Sequence, residues 1–212
     1  MITLLGRANS GNVQYVSWAL AELGQPFERL DVGGALGGTD TDDYARMNPN
    51  RLVPTLKDGD LTLWESAAIV RYLGARYGSE AFWPSDPARR APLDQWAEWI
   101  KTSFAQVLLP ELFLQLVRTR EADRNQAAID SASGRMKNLA SMLDARLAGT
   151  NLLGGDDICF ADIMVGTPLY RYFTLDFERA DTPNLSAYYE RLQQRPAYRE
   201  HVMVSYESLR VT

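Results

Sequence analysis

Asn48-Pro-Asn-Arg-Leu-Val-Pro-Thr-Leu56, followed by Trp64-Glu-Ser-Ala-Ala68, decides how this chain is read. Pro54 stands between apolar residues of a would-be strand over 53–56. A proline cannot donate to a sheet ladder, so the strand has an edge there or the bond before it is unusual. One alternative is an ordinary edge strand. The other is a cis Val53–Pro54 bond, which turns the N–H and C=O of Val53 out of the sheet, where an extended peptide can pair with them. Glu65-Ser66 lies where a strand hands over to a helix. Ser66 can cap a helix over 67–77 that Gly78 closes, and the free N–H groups of a helix start attract an anion. A carboxylate at Glu65 beside that anion site suits a zwitterionic amino-acid head group. Plain capping, with an acidic residue near the helix start, accounts for the same pair.

Working outward, residues 53–56 and 61–64 are apolar runs separated by Lys57-Asp58-Gly59-Asp60, and an Asp-Gly step between such runs predicts a hairpin. Residues 2–6 form a short apolar run, read as a buried strand. Val13, Val16, Leu20 and Leu23 recur at spacings of three and four, which is one helix face, and Gly24 stops it. Residues 27–32 alternate and read as a strand, Gly33-Gly-Ala-Leu-Gly-Gly38 as a flexible loop, and 42–47 as a helical turn or two. The order strand, helix, strand, short helix, strand, strand, helix predicts an α/β unit with a mixed four-stranded sheet. Downstream only helix signals appear. The prolines at 84, 87 and 92 set a linker at about 78–87, between a first unit, 1–77, and an all-helical second unit, 88–212. There Leu93, Trp96, Ile100, Phe104 and Val107 repeat at helical spacing, with a kink expected at Pro110. Ala132, Met136, Leu139, Leu143 and Leu147 form another stripe, and 157–172 and 183–194 are further helix candidates.

The chain has 212 residues, 22 Lys+Arg against 27 Asp+Glu, and 46% hydrophobic residues. That apolar fraction is too high for a disordered chain. A net charge of −5, with no basic cluster longer than Arg89-Arg90, argues against nucleic acid. No uncharged apolar stretch reaches the ~18 residues of a membrane span, and the N-terminus lacks the basic and apolar regions of a signal peptide. The expected location is the cytoplasm. A single cysteine, Cys159, and a single histidine, His201, exclude a disulfide framework, a Cys/His zinc site and a CxxC redox pair.

Together these segments resemble the glutathione S-transferases over nearly the whole chain. The resemblance rests on Ser10-Gly-Asn12, on Trp18-Ala-Leu-Ala-Glu-Leu-Gly24, on the 48–56 segment, on Glu65-Ser66 and on the helical second half. It implies a thioredoxin-like N-terminal domain that binds glutathione, an all-α C-terminal domain, and a detoxifying enzyme with glutathione as co-substrate and no metal. It also implies a homodimer. Val53, ahead of Pro54, would pair with the cysteinyl part of glutathione, and Glu65 and Ser66 would hold the γ-glutamyl end. Arg51 would serve the glycyl carboxylate or the loop around it.

Ser10 and Asn12 follow the first strand, and both are good helix caps. Their functional reading is thiolate stabilisation. A free thiol titrates near ~8.5, and a shift of roughly 2 units, about 2.7 kcal/mol, makes it mostly thiolate at neutral pH. One charge-assisted hydrogen bond supplies roughly 1.5–3 kcal/mol, and a helix start adds up to about 1–2. Family members carry tyrosine, serine or cysteine at this place. Arg7 at the end of the first strand argues against the tyrosine type, and Ser10 resembles the serine-type members. Asn12 falls where certain bacterial members carry cysteine or asparagine. The choice between Ser10 and Asn12 stays open, with both contributing expected.

Cys159-Phe-Ala-Asp162 stands where the family has a capping box, with a thiol in place of its hydroxyl, and the role is folding. A hydrophobic electrophile would meet Phe104, Leu108, Leu112 and Phe113, under a tail bearing Tyr206. The chemistry implied is thiolate attack on that electrophile. Disulfide or peroxide reduction, isomerisation, dehalogenation and a non-catalytic interaction module are the alternatives.

Overall fold

The computed structural model describes residues 1–211. Strands β1 (Ile2–Leu5), β2 (Phe27–Leu30), β3 (Thr55–Asp58) and β4 (Leu61–Trp64) form one sheet in the order β2-β1-β3-β4. β1 runs parallel to β2, and β3 is antiparallel to both β1 and β4. This is the expected mixed sheet, with shifts at the strand ends: β1 stops at Leu5 and β2 at Leu30, short of the expected 6 and 32. The third strand starts at Thr55, beyond the ladder-breaking Pro54. Helix α1 (Gly11–Glu22) joins β1 to β2, the short α2 (Asp42–Met47) lies between β2 and β3, and α3 (Ser66–Tyr77) follows β4.

Beyond α3 the chain is helical. A run of 31 residues, α4 (Pro87–Val117), starts at Pro87, one residue inside the expected linker. Its most apolar 18-residue window has a mean hydropathy of 1.2, enough by length and composition for a membrane span, but the helix packs into the protein core instead. Pro110 does not break it. Ile100–Phe104 and Leu108–Phe113 are π-helical, and the second segment carries the proline. A π turn holds more residues than an α turn, so Ile100, Phe104, Leu108 and Leu112, four apart, stay on one buried face. Helices α5 (Gln126–Leu147), α6 (Phe160–Gly166), α7 (Leu169–Thr174), α8 (Pro183–Gln193) and α9 (Pro196–His201) follow. The helix expected over 157–172 is divided in two at Thr167-Pro168.

One continuous apolar core joins the sheet-bearing half to the helical half. Trp18 of α1 is fully buried against α6, where a Cβ on Gly166 would stand 2.8 Å from its ring. The Trp18 indole donates to Glu22 at 2.9 Å, and Arg195 grips the same carboxylate with two bonds of 2.7 and 2.6 Å. At the start of α6, the fully buried Asp162 accepts from the N–H groups of Leu153 (2.8 Å) and Cys159 (2.9 Å) and from the Tyr188 hydroxyl (2.9 Å). Burial pushes its carboxyl pKa up, and these donors act against that rise.

Candidate functional site

The site lies where β1, β3 and α3 end or begin beside α1. The Val53–Pro54 bond is cis. Val53 precedes the β3 ladder, and among the described residues no protein group pairs with its N–H or C=O. Its neighbours are fixed instead. Asn48, 2% exposed, donates to the Leu52 carbonyl at 2.8 Å, and the Tyr44 hydroxyl donates to the same oxygen at 2.7 Å. Val53 is thus presented as an unpaired backbone step on a bolted loop. Gly6 permits its approach, since a Cβ there would stand 3.1 Å from the Val53 Cβ and 2.4 Å from Val13.

Ser66 is not the cap of α3. The cap position belongs to Glu65, whose φ of 69° is in the left-handed region, and Ser66 is the first helical residue, 2% exposed. A non-glycine residue there costs about 1–3 kcal/mol. That turn leaves the Glu65 carboxylate exposed beside the first free N–H groups of α3. The Ser66 hydroxyl donates to the Asn12 side-chain oxygen at 3.2 Å. Lys101, from the first π turn of α4, completes a triangle. Its ammonium donates to Asn12 Oδ1 at 3.0 Å and to Ser66 Oγ at 3.1 Å, and lies 5.1 Å from the centre of the Tyr15 ring. Burial lowers the Lys101 pKa, and the Glu65 charge works against that shift. Sequence reasoning missed Lys101, because no local pattern links it to residues far upstream.

Ser10 holds the N-cap position of α1 by its backbone, yet its side chain makes no cap hydrogen bond. Ser10 lines a hollow of about 260 Å³ with Gly11, Asn12, Leu109 and Phe113. The capping reading of Ser10 is therefore corrected. Asn12 is exposed, and among the described residues nothing accepts from its amide nitrogen.

Three expected pocket residues are displaced. Phe104, Leu108 and Leu112 are 0% exposed and face the core, because the π turns keep that face inward. Phe113 and the unpredicted Leu109 line the hollow instead. Tyr206 is also buried, bonded to Thr174 at 2.9 Å and edge-on to Phe113. Arg51, with φ 54°, binds the Asp40 carbonyl and lies 3.5 Å from Asp42, so it serves the loop before α2. His201 packs against the Phe27 ring, 5.7 Å between centroids, away from these groups.

Comparison with known proteins bears on the family and the fold. Residues 4–91 match the family described as "Glutathione S-transferase, N-terminal domain", and residues 104–196 match "Glutathione S-transferase, C-terminal domain". The chain is 41% identical to glutathione S-transferase GstB of Escherichia coli over 96% of its own length and 99% of that protein's. It is similar to the crystal structure of the theta class glutathione S-transferase from Xanthomonas axonopodis pv. citri with glutathione bound. That similarity has a TM-score of 0.90 and 45% identity, over 96% of this chain and 98% of the other. A glutathione S-transferase-I bound with lactoylglutathione superposes with a TM-score of 0.84 at 26% identity, over 95% and 98% of the two chains.

Proposed function

This chain belongs to the glutathione S-transferase family, and from that premise we propose that it conjugates glutathione to electrophilic small molecules through the site above. The observations that carry the assignment are the unpaired Val53 backbone step and the Lys101–Asn12–Ser66 triangle at the start of α3. In this reading Val53 pairs with the cysteinyl backbone of glutathione. Ser66, the α3 N–H groups and the Lys101 ammonium take the γ-glutamyl carboxylate, while Glu65 takes its ammonium. The sulfur then lies over the start of α1, where the Ser10 hydroxyl and the Asn12 amide nitrogen both have donors to spare. Neither group needs to titrate. The thiol proton leaves for solvent, and two donors with a helix start supply the roughly 2.7 kcal/mol that a shift of about 2 units requires.

The glutathione site belongs to a thioredoxin-like unit of residues 1–77, with residues 88–212 as the helical unit and a connection between them. We also propose a cytoplasmic homodimer. Leu61 and Trp64 on the outer strand β4, and Leu52 in the loop ahead of β3, are 39%, 38% and 66% exposed, apolar residues suited to a second copy.

Ultraviolet titration of bound glutathione, alongside turnover of a generic aryl halide, tests the mechanism. Ser10→Ala and Asn12→Ala should each raise the bound thiol pKa by about 1–2 units and slow turnover, and the double variant should do both more strongly. A wild-type pKa in the double variant would overturn it.

A further inference from the structure

The pocket for the second substrate is not purely apolar. A cavity of about 670 Å³ opens beside the Ser10 loop, walled by Arg7, Gly34, Arg118, Ser208 and Arg210. It adjoins the hollow at Ser10, and Arg7, Asn9 and Arg118 line both. Arg7 and Arg118 line the same space, and Arg7 is partly buried; desolvation first, and then the charge of Arg118, lower its pKa. Among the described residues neither forms an ion pair. Asp31, which lines the larger cavity too, is taken by Arg29, and Glu207 binds Arg210 at 2.8 Å.

Beneath them lies Arg171, 5% exposed. It donates once, to the Asn9 carbonyl at 2.9 Å, packs over Phe113 at 5.2 Å, and leaves its buried Nε without an acceptor. Arg7, Arg118 and Arg171 thus border the smaller hollow at Ser10, and Arg7 and Arg118 also border the larger cavity, whose one lining carboxylate, Asp31, is paired with Arg29. Such an arrangement repels itself and is costly to desolvate; it becomes favourable when a ligand brings the negative charge. Arg7 also has a built seat. A Cβ on Gly34 would stand 3.2 Å from the Arg7 guanidinium carbon, so the glycine loop is bare where that group lies.

We propose that this transferase takes electrophiles carrying a carboxylate, which Arg7 and Arg118 bind while the reactive carbon faces the glutathione sulfur. The proposal rests on the conjugation reading above. With an aryl halide, the thiolate attacks the carbon bearing the halogen, the C–S bond forms, and the C–halogen bond breaks with its electron pair leaving as halide. The thiol proton has already passed to solvent.

Calorimetric titration of the whole protein with three ligands tests it: glutathione, S-(4-carboxy-2-nitrophenyl)glutathione, and the matching carboxamide conjugate. The carboxylate conjugate should bind about ten- to hundredfold more tightly than the carboxamide, the range of a charge-assisted pair, and added salt should shrink that margin. Arg118→Gln and Arg7→Gln should each remove most of the margin. Equal affinity of the two conjugates would overturn the proposal and leave the transferase reading intact. So would an equal loss of affinity for glutathione alone in the variants, since the arginines would then serve the tripeptide. Failure of glutathione to bind the wild-type protein would overturn both.

Discussion

Lys101 carries the sharpest consequence at the scale of single residues. Its ammonium is the only cation in the triangle with Asn12 and Ser66. In Lys101→Met, glutathione affinity should fall about tenfold or more, from one lost charge-assisted bond. The pH dependence has a definite sign. Burial lowers the Lys101 pKa, so its charge is lost at a lower pH than that of an ordinary lysine. Binding of S-methylglutathione, whose sulfur cannot ionise, should therefore weaken on the alkaline side in the wild type. The Lys101→Met variant should lack that component while sharing any titration of the ligand's own amine. Parallel profiles for the two proteins would remove Lys101 from the site. The same triangle shows why the site was only half legible in the sequence. Glu65 and Ser66 are adjacent and sit at a recognisable strand-to-helix junction, so their neighbourhood could be read. Which of the two caps the helix was set by the left-handed φ at Glu65, which no propensity reports. Lys101 reaches Ser66 only because α4 lies across the start of α3.

Among the elements, the sheet and α1 were legible because their signals are local: apolar runs, spacings of three and four, an Asp-Gly turn. The inner face of α4 was harder. A stripe read at the period of an α-helix does not say which side meets the core, and two π segments change the winding midway. Phe104, Leu108 and Leu112, expected in the pocket, therefore face the core instead. Two substitutions test how elements position the site. Gly6→Ala puts a Cβ 2.4 Å from Val13 and 3.1 Å from Val53. It should destabilise the protein by about 1–3 kcal/mol and weaken glutathione binding, as urea denaturation and calorimetry would show. Asp162→Ala strands three buried donors and should cost about 3–4 kcal/mol by urea denaturation, yet leave the affinity of the folded protein for glutathione unchanged. A stable Asp162→Ala protein would mean that the start of α6 is held by something else.

The molecule as a whole is bound together across the sheet and the helices by a single core and by the Trp18–Glu22–Arg195 chain. The two halves should accordingly unfold together, and tryptophan fluorescence and far-ultraviolet dichroism should trace one superimposable transition in urea. Two separated transitions would show that each half keeps a core of its own. Sedimentation should give twice the chain mass if the apolar residues at β4 meet a second copy, and a charged substitution at Trp64 should shift that balance toward the monomer.

One helix carries Lys101 near its middle and Arg118 just past its last residue, Val117. In the proposed complex the two ends of the ligand are therefore read from one continuous helix, by residues several turns apart. Variation confined to positions 118, 208 and 209 would alter the chemical taste of the enzyme for its electrophile without disturbing its grip on the tripeptide. For anyone building a library on this scaffold, that separates what may be randomised from what must be inherited.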